Sequence, residues 1–221
     1  AGQLLARDAL ALALLDQAEV ALGVLGAVRA DEADGHALRP RAAGAADAVG
    51  VIGGGARQLV VDDGLQGLDV QAAREVATPR TVAVIAIDQF GVPARIPALR
   101  EALPGVDIVE DSACALGASL GGVPCGMLGD IAIYSYHPRK VITTGEGGMV
   151  ITRDAPRADL VRAMRNHGQS SPGVFRCAGP NQRMSELHAA LGVAQMARLD
   201  DILARRRAMA EEIRAAVALR W

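Results

Sequence analysis

A hydroxyl and a primary amine stand five residues apart in Ser135-Tyr136-His137-Pro138-Arg139-Lys140, and Val141-Ile142-Thr143-Thr144-Gly145-Glu146-Gly147-Gly148 follows at once. An apolar run, Ile131-Ala132-Ile133-Tyr134, leads into this segment, and a glycine-rich turn leads out. A lysine just beyond a buried strand holds an amine ready to form a Schiff base with a carbonyl cofactor. Lys140 is the only lysine among 23 basic residues; all the others are arginines. Arginine neither deprotonates near neutral pH nor forms that linkage, whereas lysine does both. A composition that prefers arginine has kept an amine at this one position. The competing reading is an ordinary surface lysine.

Two more side chains have suitable chemistry. Asp111 closes an apolar run at 106–109 together with Glu110, and ligands of α/β sheets gather just beyond strand ends. A carboxylate opposite a ring nitrogen keeps a pyridine protonated, which provides an electron sink. Asp111 is equally suited to capping a helix, since Ser112 and small residues follow it. Ser135 is placed either to donate to a phosphate or to bond its own backbone.

The elements that must position these groups follow from the apolar pattern. Strands are expected at 58–62, 82–87, 106–109, 131–135 and 149–152. Helices are expected at 70–76, 93–103 and 159–165, and from 185 towards 218 with a break. Short apolar strands alternating with helices are strands buried on both faces, so the fold class is α/β with a largely parallel sheet. Residues 30–55 show neither period, and the default reading there is loop. In the first 25 residues Arg7, Asp8, Asp16 and Glu19 break up the leucines, leaving no charge-free run of the ~18 residues a membrane span needs. That segment reads as a soluble, alanine-rich helix.

Charge and cysteine content narrow the function classes. A net charge of −2 offers neither a nucleic-acid groove nor a polybasic membrane patch. Cys114, Cys125 and Cys177 are odd in number and lack metal-ligand spacing. They read as reduced thiols of a cytoplasmic protein, filling small core positions, with no metal expected.

Four motifs, in order, carry a family resemblance. Glu110-Asp111-Ser112-Ala113-Cys114-Ala115-Leu116-Gly117-Ala118, Gly129-Asp130, the Tyr134–Lys140 segment with Thr143-Thr144-Gly145-Glu146-Gly147-Gly148-Met149, and Pro180-Asn181-Gln182-Arg183-Met184-Ser185-Glu186-Leu187-His188-Ala189-Ala190-Leu191-Gly192 resemble the DegT/DnrJ/StrS sugar aminotransferases. The likeness extends from about residue 55 to the C-terminus. It implies the type I aminotransferase fold, with a large α/β domain and a smaller C-terminal one. It also implies the cofactor pyridoxal 5′-phosphate. Lys140 matches the lysine that forms the internal aldimine and shuttles the proton. Asp111 matches the partner of the pyridine nitrogen, and Ser135 the ligand of the phosphate. Asn181 matches an asparagine that reaches the phosphate in the neighbouring subunit, which implies a homodimer with shared sites. The implied reaction moves an amino group from an amino acid, glutamate foremost, onto a nucleotide-linked keto-sugar for amino-sugar or polysaccharide biosynthesis.

The departures are as informative. Cys114 stands where the family usually has glutamine, and Leu116 where histidine is frequent. Residues 1–50 contain no serine or threonine for a phosphate loop, and no aromatic residue precedes Phe90. The expected organisation is a degenerate helical and loop segment at 1–56. The core of a truncated large domain, with the start of the C-terminal helix, is expected at 57–221. Two alternatives stand beside the aminotransferase. One is a degenerate homologue acting at most as a dimerising partner. The other is a sugar dehydratase on the same fold and cofactor, a subgroup that carries histidine where this chain has Lys140.

Overall fold

The structure is a computed structural model and describes residues 50–53, 56–59, 67–79 and 81–218. Its strands are β1 (Gly50–Gly53), β2 (Ala56–Leu59), β3 (Thr81–Ile87), β4 (Asp107–Asp111), β5 (Ser119–Leu120), β6 (Val123–Pro124), β7 (Ile131–Ser135), β8 (Gly148–Thr152), β9 (Gln169–Ser171) and β10 (Val174–Phe175). Its helices are α1 (Val70–Val76), α2 (Ile96–Ala102), α3 (Ala155–Met164), α4 (Glu186–Met196) and α5 (Leu199–Ala218).

Six strands form one mixed sheet in the order β2-β1-β3-β4-β7-β8. The central three, β3, β4 and β7, run parallel, and β1 and β8 flank them antiparallel. The short pairs β5–β6 and β9–β10 stand apart.

Both faces of the centre are buried, which explains the unbroken apolar runs. Ile108 and Val84, paired in register, pack on one face with Leu68, Ala73, Ile96 and Leu99 from α1, α2 and the segment before α1. The next residue along, Val109, belongs to the opposite face with Ile131, Ile133, Val150 and Val161 of α3. Because strand side chains alternate in direction, Ile108, Val109 and Glu110 of β4 are buried on alternate faces, and only Asp107 and Asp111 at its ends are partly exposed.

Of the expected boundaries that moved, three have a local reason. Gly50–Gly53, inside the stretch read as loop, is a strand paired with β3 at Val51↔Val84 and Ile52↔Ala83. A four-residue strand is defined by its partner more than by its own pattern. The 93–103 helix is shorter, because the Ala94 amide donates to Asp88 Oδ1 at 2.8 Å and holds the chain in a turn before Ile96. The 159–165 helix starts earlier, at Ala155. There Asp154 accepts from the Arg157 amide at 2.9 Å, and Pro156 occupies the first turn. The expected break in the last helical stretch lies between Met196 and Leu199. Strand residues 60–62, the N-terminal helix and most of the 1–56 segment lie outside the described residues. Among the described residues no helix is long and apolar enough to cross a membrane.

Candidate active site

The parallel pairing of β4 with β7 sets Asp111 opposite Ile133, so Asp111 and Ser135 emerge at the same edge of the sheet. Lys140 comes back to that edge through a closed loop. Its amide donates to the His137 carbonyl at 2.9 Å. Lys140 lies close enough for its charge to act on Asp111. Burial pushes the Asp111 carboxyl above the usual carboxylate range, while the Ala113 N–H and the Lys140 charge pull it back. Asp111 Oδ1 accepts from the Ala113 amide at 3.0 Å, and Oδ2 has no hydrogen bond among the described residues. No helix begins here, so Asp111 caps a turn rather than a helix. Ser135 is buried, and its Oγ accepts from the His137 amide at a long 3.4 Å.

The Lys140 loop is fixed at its base and its middle. The Tyr136 amide donates to the Gly147 carbonyl at 2.8 Å. The Tyr136 carbonyl accepts from the Thr144 amide at 3.0 Å and from Thr143 Oγ1 at 2.8 Å. Gln195 of α4 then holds Thr143 by both backbone groups. Gly147 has φ 144°, and a Cβ there would sit 2.7 Å from both Thr144 Oγ1 and Met184 Cε, so only glycine fits the turn.

The structure thus sets Asp111 and Ser135 at neighbouring strand ends, with the Lys140 charge acting on Asp111, and pairs Asn181 with Asn166. Asn181 is exposed and pairs as an isolated bridge with Asn166, next to Gln182, whose amide donates to the Arg165 carbonyl at 2.9 Å. No hydrogen bond or ion pair among the described residues links it to the other three.

One cysteine reading is corrected. Cys114 is exposed, not a core residue, and its Sγ lies 3.1 Å from Lys140 Nζ, which donates to it. It sits in the irregular turn after β4, where no apolar period betrays which way a side chain faces. Cys125 is buried as expected and Cys177 is half-buried. The contributions of Gln195 and Tyr136 were missed because both act on backbone groups that leave no mark in residue type.

Beside the site lies a buried polar hub. Glu110 accepts from the amides of Gly126, Leu128 and Gly129 at 2.6, 2.9 and 2.8 Å. Asp88 accepts from Ala94 and from Ser112 Oγ, the latter at 2.7 Å. Asp88, Glu110 and Cys125 offer ligand atoms within 4.8 Å of one another. Burial, with Asp88 and Glu110 beside it, pushes the Cys125 thiol up to about 12, and a metal-bound thiol must be deprotonated. The trio serves as a hydrogen-bonded hub that ties the 125–130 loop to β4.

Comparison with known proteins places this geometry. The model of the DegT/DnrJ/EryC1/StrS aminotransferase family matches residues 43–219. The chain is 36% identical over 158 residues to GDP-perosamine synthase of Caulobacter vibrioides, covering 69% of this chain and 43% of that protein. It is 36% identical over 148 residues to dTDP-3-amino-3,4,6-trideoxy-alpha-D-glucose transaminase of Streptomyces venezuelae, covering 66% of this chain and 39% of that protein. Among solved structures, S. venezuelae DesV in complex with a ketimine intermediate superposes with a TM-score of 0.65 at 35% identity, covering 69% of this chain and 42% of that one. GDP-4-keto-6-deoxymannose-3-dehydratase (ColD) shares the fold, with a TM-score of 0.64 at 22% identity. The chain spans about two fifths of the length of the curated relatives it matches. With the family model matching residues 43–219 and the fold superposing on DesV, the chain belongs to the DegT/DnrJ/EryC1/StrS aminotransferase family.

Proposed function

We propose that this chain carries the cofactor-binding part of a pyridoxal-phosphate-dependent aminotransferase, which moves an amino group from an amino acid such as glutamate onto a nucleotide-linked keto-sugar. One observation carries the reading: Asp111 and Ser135 end two adjacent parallel strands, and the sole lysine, five residues past Ser135, acts by its charge on the buried Asp111 carboxyl. The donor set fits the cofactor. A carboxyl raised by burial, with Oδ2 unengaged among the described residues, is relieved by a cationic N–H such as that of a pyridinium. When bound, pyridoxal phosphate would supply a conjugated ring that delocalises the electrons left by a broken C–H bond. Lys140 would hold the cofactor through Nζ and, once released from it, move the proton at the reacting carbon. Asp111 would keep the ring nitrogen protonated, and Ser135 Oγ would turn from its long bond to His137 and donate to the phosphate.

Asn181, which is exposed, would serve a partner's site, making the working unit a homodimer. The lysine at position 140 favours amino transfer over dehydration, since the dehydratase subgroup carries histidine there. A non-catalytic, dimerising role is favoured by one observation alone, the lack of serine and threonine in residues 1–50.

The test is to add pyridoxal phosphate, reduce with borohydride and map the peptides, then assay amino transfer from glutamate to nucleotide keto-sugars. The adduct is expected on Lys140. A label on the N-terminal amine with Lys140 unmodified overturns the assignment. An adduct on Lys140 without transfer to any keto-sugar selects the non-catalytic role.

A further inference from the structure

Cys114 and Lys140 are a thiol and an amine held 3.1 Å apart, 26 residues apart in sequence, with the sulfur at the surface. Among the described residues this is the only side-chain hydrogen bond of either group, and the Lys140 charge also acts on Asp111. The chain has no second lysine to compete for the sulfur.

We propose that Cys114 and Lys140 form a modification site, in which a hydroperoxide oxidises Cys114 and the Lys140 amine captures it as a reversible sulfur–nitrogen crosslink. In the first step the Cys114 sulfur attacks one peroxide oxygen and the O–O bond breaks. Sulfur is oxidised by two electrons to the sulfenic acid, and the peroxide is reduced to water or an alcohol. In the second step the unprotonated Nζ attacks that sulfur and the S–O bond breaks. The oxygen leaves as water, taking a proton from the amine, and an S–N bond remains. No further oxidant is consumed. Added thiol reverses the link by attacking sulfur: the S–N bond breaks and Nζ regains a proton. A second thiol then releases Cys114 from the mixed disulfide.

The geometry favours this pair over the other cysteines. Cys125 is fully buried, its Sγ within 4.8 Å of the Asp88 and Glu110 carboxylates, with no lysine beside it. Cys177 is half-buried, and no lysine is joined to it. At Cys114 the sulfenic acid forms within reach of Nζ, so condensation is intramolecular and outruns capture by dilute external nucleophiles. The flexible lysine stem supplies the final approach.

The consequence rests on the reading of Lys140 as the cofactor lysine. A linked Nζ cannot hold a carbonyl, so oxidation would block loading, and bound pyridoxal phosphate would protect the pair. The chemistry of the link itself does not depend on that reading.

The experiment treats the cofactor-free chain with equimolar hydrogen peroxide and maps its peptides by mass spectrometry. The expected product is one crosslinked pair of peptides, containing Cys114 and Lys140 and lighter than their sum by two hydrogens. It should disappear with dithiothreitol, be absent in Cys114→Ser, and persist in Cys177→Ser. A Cys114 sulfenic acid that is trapped by dimedone while Lys140 stays unlinked overturns the proposal. So does oxidation confined to Cys177 or the methionines. Protection by pyridoxal phosphate is read separately: a crosslink that the cofactor fails to suppress leaves the modification site standing and counts against Lys140 as the cofactor lysine.

Discussion

Gln195 grips Thr143 by both of its backbone groups: Oε1 accepts from the Thr143 N–H at 3.1 Å, and Nε2 donates to the Thr143 carbonyl at 2.7 Å. A helix 52 residues downstream thereby holds the loop that carries Lys140. Gln195→Ala removes both bonds and should cost about 1–3 kcal/mol in denaturant unfolding. Hydrogen exchange at the Thr143 amide should quicken, whereas amides of β4 should be unaffected. Unchanged exchange at Thr143 would show that the grip is idle.

Asp111 should trade stability for binding. Its folded carboxyl titrates above the ordinary value because burial penalises the charge, so the folded state binds the proton more tightly than the unfolded one. Stability from this group is therefore full below the unfolded pKa and is lost as pH rises through the folded one. Asp111→Asn keeps an oxygen for the Ala113 amide and removes that loss. The cofactor-free variant should match or exceed the parent in stability at neutral pH, with a flatter pH profile from about 4 upward. Its cofactor affinity should fall. A steeper acid-side profile in the variant would contradict the burial argument.

Ser135→Ala isolates the phosphate role. Its bond to His137 is long, at 3.4 Å, so folding stability should change by less than about 1 kcal/mol. A lost charge-assisted bond of ~1.5 kcal/mol corresponds to roughly tenfold weaker pyridoxal phosphate binding. Titration of the two proteins side by side decides it, and equal affinity would leave Ser135 with its backbone bond only.

Glu110→Ala should be far more damaging to folding than any change at Lys140. Three amides of the 126–129 turn would lose their acceptor inside the protein. A loss of about 3 kcal/mol or more is expected, since unmatched buried donors cost ~1–3 kcal/mol each. Thermal unfolding measures it. A Tm close to the parent's would mean that the turn repairs itself with water.

Mixing Asn181→Ala chains with Lys140→Ala chains tests the shared site. In a mixed dimer one site would carry both lesions and the other neither, so cofactor loading should reappear in the mixture. Leu187 at 83% exposure, with Leu191 and Val193, gives α4 the apolar surface such a pairing needs. No recovery, together with a monomer in sedimentation, would assign Asn181 to its own chain's surface.

The central fold was legible because β3, β4 and β7 are buried on both faces, and that burial forces an apolar run a reader can count. Helix α1 showed at its own period, with Ala73 buried, whereas α4 buries no residue and showed by its apolar spacing alone. Asp111, Ser135 and Lys140 could be picked out because each closes or follows such a run. The clamp by Gln195 and the exposure of Cys114 could not. Both depend on backbone groups and on the direction of an irregular turn, which residue types leave open. Strand Gly50–Gly53 stayed hidden because its pairing with β3, not its composition, makes it a strand.

Strand β4 presents Glu110 to one face of the sheet and Asp111 to the other. A slip of one residue would turn each of them to the opposite face. Glu110 would then leave the 126–129 amides, and Asp111 would leave the face on which the Lys140 charge acts. The alignment of β4 is therefore as consequential as the identity of its residues. Arg157 holds Asp107 at one end of the strand at 2.8 Å, and Asp130 accepts from the Ile108 amide at 2.8 Å. Those two pins sit at the far end of β4 from Lys140, and yet they decide which acid faces it.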